Sequence, residues 1–293
     1  MFTVRPFDAP LGAAIEGIDL KSDLGDELMR GLTAALYDHR VIVIKAQSLD
    51  EDAYLKFGRQ WGEPIPHVLD HMRMPGYPEM MCVGNTEEKD KTDSIRLGAA
   101  LWHTDQSYEQ KPASATMLFA LMAPRLGGEN RFTDMAAAYE ALDTDLKEQI
   151  DGYLVSHLYG AAKLREGEFI ASPLINQSQT NHIPTCKHPL VLRHPVVGRK
   201  ALYAVAQSAF AIEGLGDDEA GQLLWDLREH CIQDRFVYRH KYEIGDLVIF
   251  DSYSTMHAAT PIAVAESLKD ENARLNWRIS VRGLPQVHRE AAA

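Results

Sequence analysis

The chain reads as a β-rich α+β protein, a β-barrel or sandwich with helices packed outside it. Two observations predict this: helical patterns come early, and short apolar strands separated by turns fill the last third. A third concerns organisation. No internal repeat, low-complexity tract or Gly/Ser/Pro-rich linker divides the 293 residues, which predicts a single domain over 1–293. A chain of that length can bury a substantial core.

Asp26 to His39 places Leu28, Leu32, Ala35 and Leu36 on one side, the pattern of an amphipathic helix. Val41-Ile42-Val43-Ile44 follows as a buried strand. Ser48-Leu49-Asp50-Glu51 has the form of a capping box and opens a second helix through Phe57. Met80 to Val83 is a short apolar strand. Glu87 to Gly98 is charged and polar, either a mobile lid or a plain solvated connection. Ala136 to Gln149 and Asp217 to His230 read as helices. Phe236-Val237-Tyr238, Leu247 to Phe250 and Leu275 to Val281 read as strands, parted by turns such as Ile244-Gly245-Asp246.

A formal net charge of -12 argues against a general nucleic-acid or anionic-membrane surface. It leaves room for a small anionic ligand, because a few buried arginines dominate a pocket locally. Three scattered cysteines, Cys82, Cys186 and Cys231, read as reduced thiols. The N-terminal residues lack the layout of a signal peptide, and no apolar run approaches the ~20 residues of a membrane span. The expectation is a soluble, cytoplasmic protein.

The chemistry starts at His103-Thr104-Asp105, the one His-x-Asp triplet. On an extended strand, side chains at i and i+2 share a face, so both could ligate one metal. The best third ligand is His257, in Thr255-Met256-His257-Ala258. Two histidines and a carboxylate on one side of a metal form the facial triad of non-haem Fe(II) oxygenases. The rivals are weaker. His288-Arg289-Glu290 lies at the C-terminal end, and His67 and His71 have helical spacing but are flanked by Pro66 and Pro75. His182, His188 and His194 read as structural turn residues. In Arg274 to Gly283, Arg274, Arg278 and Arg282 share one strand face, with Leu275, Trp277, Ile279 and Val281 opposite. Arginines on an enclosed face call for anionic partners; on an open edge they are merely solvated.

The whole chain resembles the taurine dioxygenase / 2,4-dichlorophenoxyacetate dioxygenase (TauD/TfdA) family of Fe(II)- and 2-oxoglutarate-dependent oxygenases. The resemblance is carried by Leu11 to Leu20, Phe57 to Glu63 around Trp61-Gly62, Trp102 to Asp105, Gly127-Gly128-Glu129-Asn130 and Ala138 to Leu142. It implies a double-stranded β-helix (jelly-roll, cupin-like) core with flanking helices. It also implies Fe(II) held by His103, Asp105 and His257, with O2 and 2-oxoglutarate as cosubstrates. Arg274 falls where the family binds the distal carboxylate of 2-oxoglutarate, and Asn130 stands where a threonine commonly assists. Arg278, His67 and the Gln106 backbone N–H fall where taurine dioxygenase holds the anionic group of its substrate.

Departures from the family pattern shape the expectation further. Phe250-Asp251-Ser252-Tyr253 replaces the usual Trp-Asp-Asn-Arg, and Glu266 to Glu271 forms a charged insertion before Arg274, which leaves the division of labour between Arg274 and Arg278 open. Asp70 and Ala99 stand at two other substrate positions and argue against taurine itself. With Asp105 present no halide site opens, so hydroxylation of a small anionic organic substrate is implied, with release of succinate and CO2; cleavage next to a heteroatom and desaturation stay open. A homo-oligomer, dimer or tetramer, is implied as well. Two other classes share the ligand set: a catalytically silent metal- or ligand-binding jelly-roll protein, and a metal-dependent hydrolase.

Overall fold

Alternation along three neighbouring strands decides the architecture. In Val41–Ile44, Ile42 and Ile44 join one apolar cluster while Val41 and Val43 join another. The same split recurs for Met117 and Phe119 against Leu118 and Ala120, and for Leu247 and Ile249 against Val248 and Phe250. A strand puts successive side chains on opposite faces, so this sheet is buried on both.

The computed structural model describes residues 2–22, 24–68, 70–86, 101–159 and 184–289. The expected Glu87–Gly98 loop, Ala99 and His182 lie outside them. The first third runs β1 (Thr3–Pro6), β2 (Ala13–Glu16), α1 (Asp26–His39), β3 (Val41–Ile44), α2 (Glu51–Trp61), β4 (Glu63–Pro64), β5 (Arg73–Met74) and β6 (Tyr77–Gly84). The middle runs β7 (Ala115–Met122), β8 (Asn130–Asp134), α3 (Met135–Glu140), α4 (Thr144–Ile150), β9 (Leu154–His157), β10 (Cys186–Pro189), β11 (Val191–Arg193), β12 (Lys200–Leu202) and β13 (Ala209–Ile212). The last third runs α5 (Asp217–Cys231), β14 (Val237–His240), β15 (Leu247–Asp251), β16 (Thr255–Ala259), β17 (Leu275–Arg282) and α6 (Gln286–Arg289).

The large sheet has the order β1-β2-β3-β15-β7-β17-β6-β5, with β4 on β17. Among the described strands only β2 and β3 pair in parallel, joined by the α1 crossover that parallel strands require. The small sheet is β14-β8-β16. Phe132 of the small sheet packs with Val43, Leu118 and Phe250 of the large one, so the two sheets face each other across this inner cluster. That is the jelly-roll sandwich. Helices α1 and α2 cover the outer face of the large sheet, where Tyr54, Phe57 and Trp61 meet Phe119, Trp277 and Ile279. Each such large side chain removed from water contributes about 1.5–3 kcal/mol. The Tyr54 hydroxyl donates to the backbone carbonyls of Met117 and Trp277, 3.0 and 3.1 Å away, so burying it leaves no polar group unsatisfied.

Several expectations are corrected in detail. The cap of α2 is Asp50, whose carboxylate accepts from Ala53 N, rather than Ser48, and the helix continues past Phe57 to Trp61. Ala136–Gln149 is two helices, because Asp143 accepts from Leu146 N and starts a new N-terminus. Phe236 closes a 3-10 turn, and the strand is Val237–His240. The Met80–Val83 strand extends over Tyr77–Gly84. His188 lies on β10 rather than in a turn, whereas His194 is a turn residue, its Nδ1 accepting from Val196 N and Val197 N. None of the three cysteines forms a disulfide. Among the described residues no helix is long and apolar enough to cross a membrane.

Candidate active site

His103 and His257 come together through the backbone. The two residues form an isolated antiparallel bridge, with His103 N to His257 O at 3.0 Å and His257 N to His103 O at 2.9 Å. His257 is itself fixed in β16, opposite Phe132 of β8. The expected extended strand through His103 and Asp105 is not what aligns them. Asp105 opens a turn, and Gln106 adopts a left-handed backbone with φ 47° that reverses the chain. The turn is braced from behind: the Ser107 hydroxyl donates to Thr104 O at 3.0 Å and meets Ser208 Oγ at 2.7 Å, and the His188 Nε2 lies 3.0 Å from Glu109 O.

The result is a compact set of donors. Ligand atoms of His103, Asp105 and His257 all lie within 4.8 Å of one another. His103 Nδ1 sits 2.8 Å from Leu101 O, which places its proton there and leaves the Nε2 lone pair facing Asp105. Burial lowers the pKa of both imidazoles, that of His257 well below its ordinary value, so both are neutral donors near pH 7. Phe250 and Phe132 rings lie 4.6 and 6.0 Å from the His257 ring and form its apolar wall.

Asp105 divides its two oxygens. Oδ1 is 2.6 Å from Arg278 Nη2, while Oδ2 is buried with no hydrogen-bond partner. An orphaned buried carboxylate oxygen costs desolvation unless something meets it. Here it faces His257 Nε2 at 3.9 Å. Burial would raise the Asp105 pKa, but above all the Arg278 guanidinium holds it well below the usual carboxylate range. Two neutral nitrogens and one charged oxygen converge from one side, and this donor set fits a divalent metal.

Arg274 and Arg278 both turn inward, as their shared strand face requires, while Trp277, Ile279 and Val281 pack outward. Arg278 is engaged with Asp105, with Ser280 Oγ at 3.1 Å and with Met81 Sδ at 3.3 Å. Arg282, at the exposed end, pairs with Glu63 at 2.8 Å. Arg274 differs from both. It is 5% exposed, its Nε has no partner, and Nη2 reaches only the neutral Asn130 Oδ1 at 3.4 Å. Among the described residues no carboxylate pairs with it, and burial lowers its pKa. A buried guanidinium cannot shed its charge, so this position calls for an anion from outside the chain.

The double-glycine turn packs tightly against the chain next to this arginine. Gly127 and Gly128 have φ values of 70° and 73°, and a Cβ on Gly127 would lie 2.7 Å from Pro261 O. Beside them runs Arg274, whose Cδ would be 3.5 Å from a Cβ on Gly128. Two residues missed in the sequence line the same interior. Asn276, between the two arginines, is wholly buried with both amide atoms unpartnered. The shared face of Arg274 and Arg278 could have revealed it. Tyr242 is also buried with its hydroxyl unpartnered, and no local pattern marks it.

The remaining candidates sit as follows. Gln106 is buried, with its Oε1 unpartnered. His67 is half-buried in the segment after β4, its carbonyl accepting from Arg73 Nε at 2.7 Å. Asp70 is exposed and pairs with Arg73 at 2.6 Å, a surface aspartate. The rival His288 ring lies 3.1 Å from the Thr33 hydroxyl on the far side of the large sheet.

Comparison with known proteins agrees with this geometry. A family profile described as "Taurine catabolism dioxygenase TauD, TfdA family" matches residues 3–279. The alpha-ketoglutarate-dependent 2,4-dichlorophenoxyacetate dioxygenase of Cupriavidus pinatubonensis is 31% identical over 86% of this chain and 90% of its own length. The (S)-phenoxypropionate/alpha-ketoglutarate-dioxygenase of Sphingobium herbicidovorans is 30% identical over 97% and 96%. The crystal structure of AAD-2 in complex with Mn(II) and N-oxalylglycine superposes with a TM-score of 0.77 at 25% identity, covering 97% of this chain and 98% of that one. With that span and identity, the chain belongs to the taurine catabolism dioxygenase TauD, TfdA family.

Proposed function

We propose that this protein is an Fe(II)- and 2-oxoglutarate-dependent dioxygenase that hydroxylates a small organic acid, within a single domain over residues 1–293. The observation that carries the reading is the buried Arg274, without a carboxylate partner among the described residues, beside a His-Asp-His donor set. A hydrolase or a silent metal-binding barrel has no use for a buried unpaired cation next to its metal. The names of the two dioxygenase relatives, which act on a phenoxyacetate and a phenoxypropionate, support a carboxylate-bearing substrate.

His103, His257 and Asp105 Oδ2 would hold the iron. When bound, iron with 2-oxoglutarate supplies O2 activation coupled to oxidative decarboxylation, giving succinate, CO2 and an oxygenated substrate. The chain contributes position and charge. Arg274 neutralises the distal carboxylate of 2-oxoglutarate, and Asn130, whose Oδ1 accepts from Arg274, keeps its NH2 to donate to the same group. Arg278 clamps Asp105 Oδ1, which presents Oδ2 to the metal, and its position next to the metal suits a substrate carboxylate. His67 and the Gln106 N–H are proposed as further substrate contacts. Phe132 and Phe250 exclude water around His257.

The test is succinate release, with O2 consumption, across a panel of aryloxyalkanoates, alkyl sulfates and simple carboxylates. Adding Fe(II) and 2-oxoglutarate without O2 should produce a weak visible charge-transfer band. Absence of that band, or product formed without O2 and restored by zinc, would refute the reading.

A further inference from the structure

The interior around Arg274 holds more unmet hydrogen-bonding capacity than the arginine alone explains. The Tyr242 hydroxyl is unpartnered although the side chain is only 4% exposed. Its ring is fixed by the inner cluster with Leu118, Ala120 and Phe250, and by an edge-on His240 ring 4.7 Å away. His240 cannot take up the hydroxyl's hydrogen bond readily, because its Nδ1 meets Tyr238 Oη at 2.9 Å and its Nε2 meets Asp246 Oδ2 at 3.2 Å. The tyrosine is therefore held in place by its ring while its polar end remains unused.

The strand register identifies the neighbour: His240 of β14 pairs with Asn130, whose Oδ1 accepts from Arg274 Nη2, and Ala120, in the same cluster as Tyr242, pairs with Asn276 of β17. Burial raises the Tyr242 pKa, and the nearby Arg274 charge opposes that rise; the same pair appears from the arginine's side, where Tyr242 supports the charge that burial disfavours. Buried hydroxyls without partners are rare in folded proteins, and one beside an unpaired guanidinium marks a place where an acceptor binds. Asn276, on the same inward strand face, adds two more unpartnered atoms. An anion with several acceptor oxygens meets this combination better than one water does.

We propose that the Tyr242 hydroxyl donates a hydrogen bond to the distal carboxylate of 2-oxoglutarate, beside Arg274. The inference rests on the 2-oxoglutarate reading above and extends it to a residue on a different wall of the site. A carboxylate has acceptor sites enough for Arg274, Asn130 and a phenol together. As a positioning contact, Tyr242 would fix the tilt of the cosubstrate while the arginine supplies its charge.

The experiment is calorimetric titration of wild type and Tyr242→Phe, loaded with Mn(II), with N-oxalylglycine and separately with oxalate. Oxalate can chelate the metal but has no distal carboxylate at that distance. The expected result is N-oxalylglycine affinity lowered about 10- to 100-fold in Tyr242→Phe, with oxalate and Mn(II) affinities within two-fold of wild type. Equal N-oxalylglycine affinity in both proteins would overturn the inference and leave the 2-oxoglutarate reading intact. Equal loss for both ligands would also overturn it, because it would make Tyr242 a general support of the site. Wild type that binds no N-oxalylglycine would remove both readings.

Discussion

Replacing Arg274 by methionine should strengthen the empty protein while disabling it. Methionine roughly keeps the length and packing of the arginine stem. The guanidinium is 5% exposed, bears a full charge and has one long hydrogen bond, to Asn130. Replacing buried charge by well-packed apolar groups is commonly neutral or stabilising by ~1–4 kcal/mol, even where the charge is paired. For a domain of this size that is a rise of about 2–8 °C in Tm. Losing a buried, charged hydrogen bond to the ligand costs ~2–5 kcal/mol, or roughly 30- to 5,000-fold in affinity. Scanning calorimetry of both proteins with and without Mn(II) and N-oxalylglycine reads both effects. In wild type a hundred-fold excess over Kd should add ~2.7 kcal/mol; in Arg274→Met the same ligand concentration should add no more than ~0.9 kcal/mol. An empty variant that melts well below wild type, yet still gains stability from N-oxalylglycine, would refute the argument that Arg274 is an uncompensated charge awaiting an anion.

Other outcomes follow from the same structure. Asp105→Ala should abolish metal binding and also destabilise the fold by about 3–5 kcal/mol, because Arg278 loses its buried partner; wild-type Mn(II) affinity would contradict the donor set. Gly127→Ala should cost at least ~1–2 kcal/mol for its left-handed backbone alone, with more from the contact at Pro261 O, and a chemical denaturation midpoint equal to wild type would argue against that turn geometry. Burial lowers the His157 pKa to about 3. The unfolded state then binds the extra proton first, so this residue stabilises fully above pH ~6.5 and progressively less as pH falls toward 3. Its share of the loss between pH 6.5 and 5.5 should be ~1 kcal/mol, steepening toward ~1.4 kcal/mol per unit below. Denaturation of His157→Gln should show a flatter acid slope than wild type, and an identical slope would exclude His157 as a source.

Much of the fold was legible because it rests on local patterns. Val41–Ile44, the helices from Asp26 and Asp217, and the in-out alternation of Leu275–Val281 all stand where their periodicity places them. Boundaries were less legible. Asp50 and Asp143 outcompete nearby alternatives as caps because their carboxylates reach specific backbone N–H groups, and that depends on the path of the incoming chain.

For the site, the residue types alone determined the chemistry on offer: a His-x-Asp triplet, a distant histidine, and arginines at strand period. The tertiary structure decided which of these meet. The bridge between His103 and His257 spans more than half the chain, and the left-handed turn at Gln106, not a strand, swings Asp105 into place. It also separated two arginines that look equivalent in sequence, one engaged with Asp105 and the other left without a carboxylate among the described residues. Tyr242 had no signal at all in its own segment. Its meaning arises only because folding buries an unpaired hydroxyl beside an unpaired cation, and burial is a property of the packed molecule rather than of any stretch of residues.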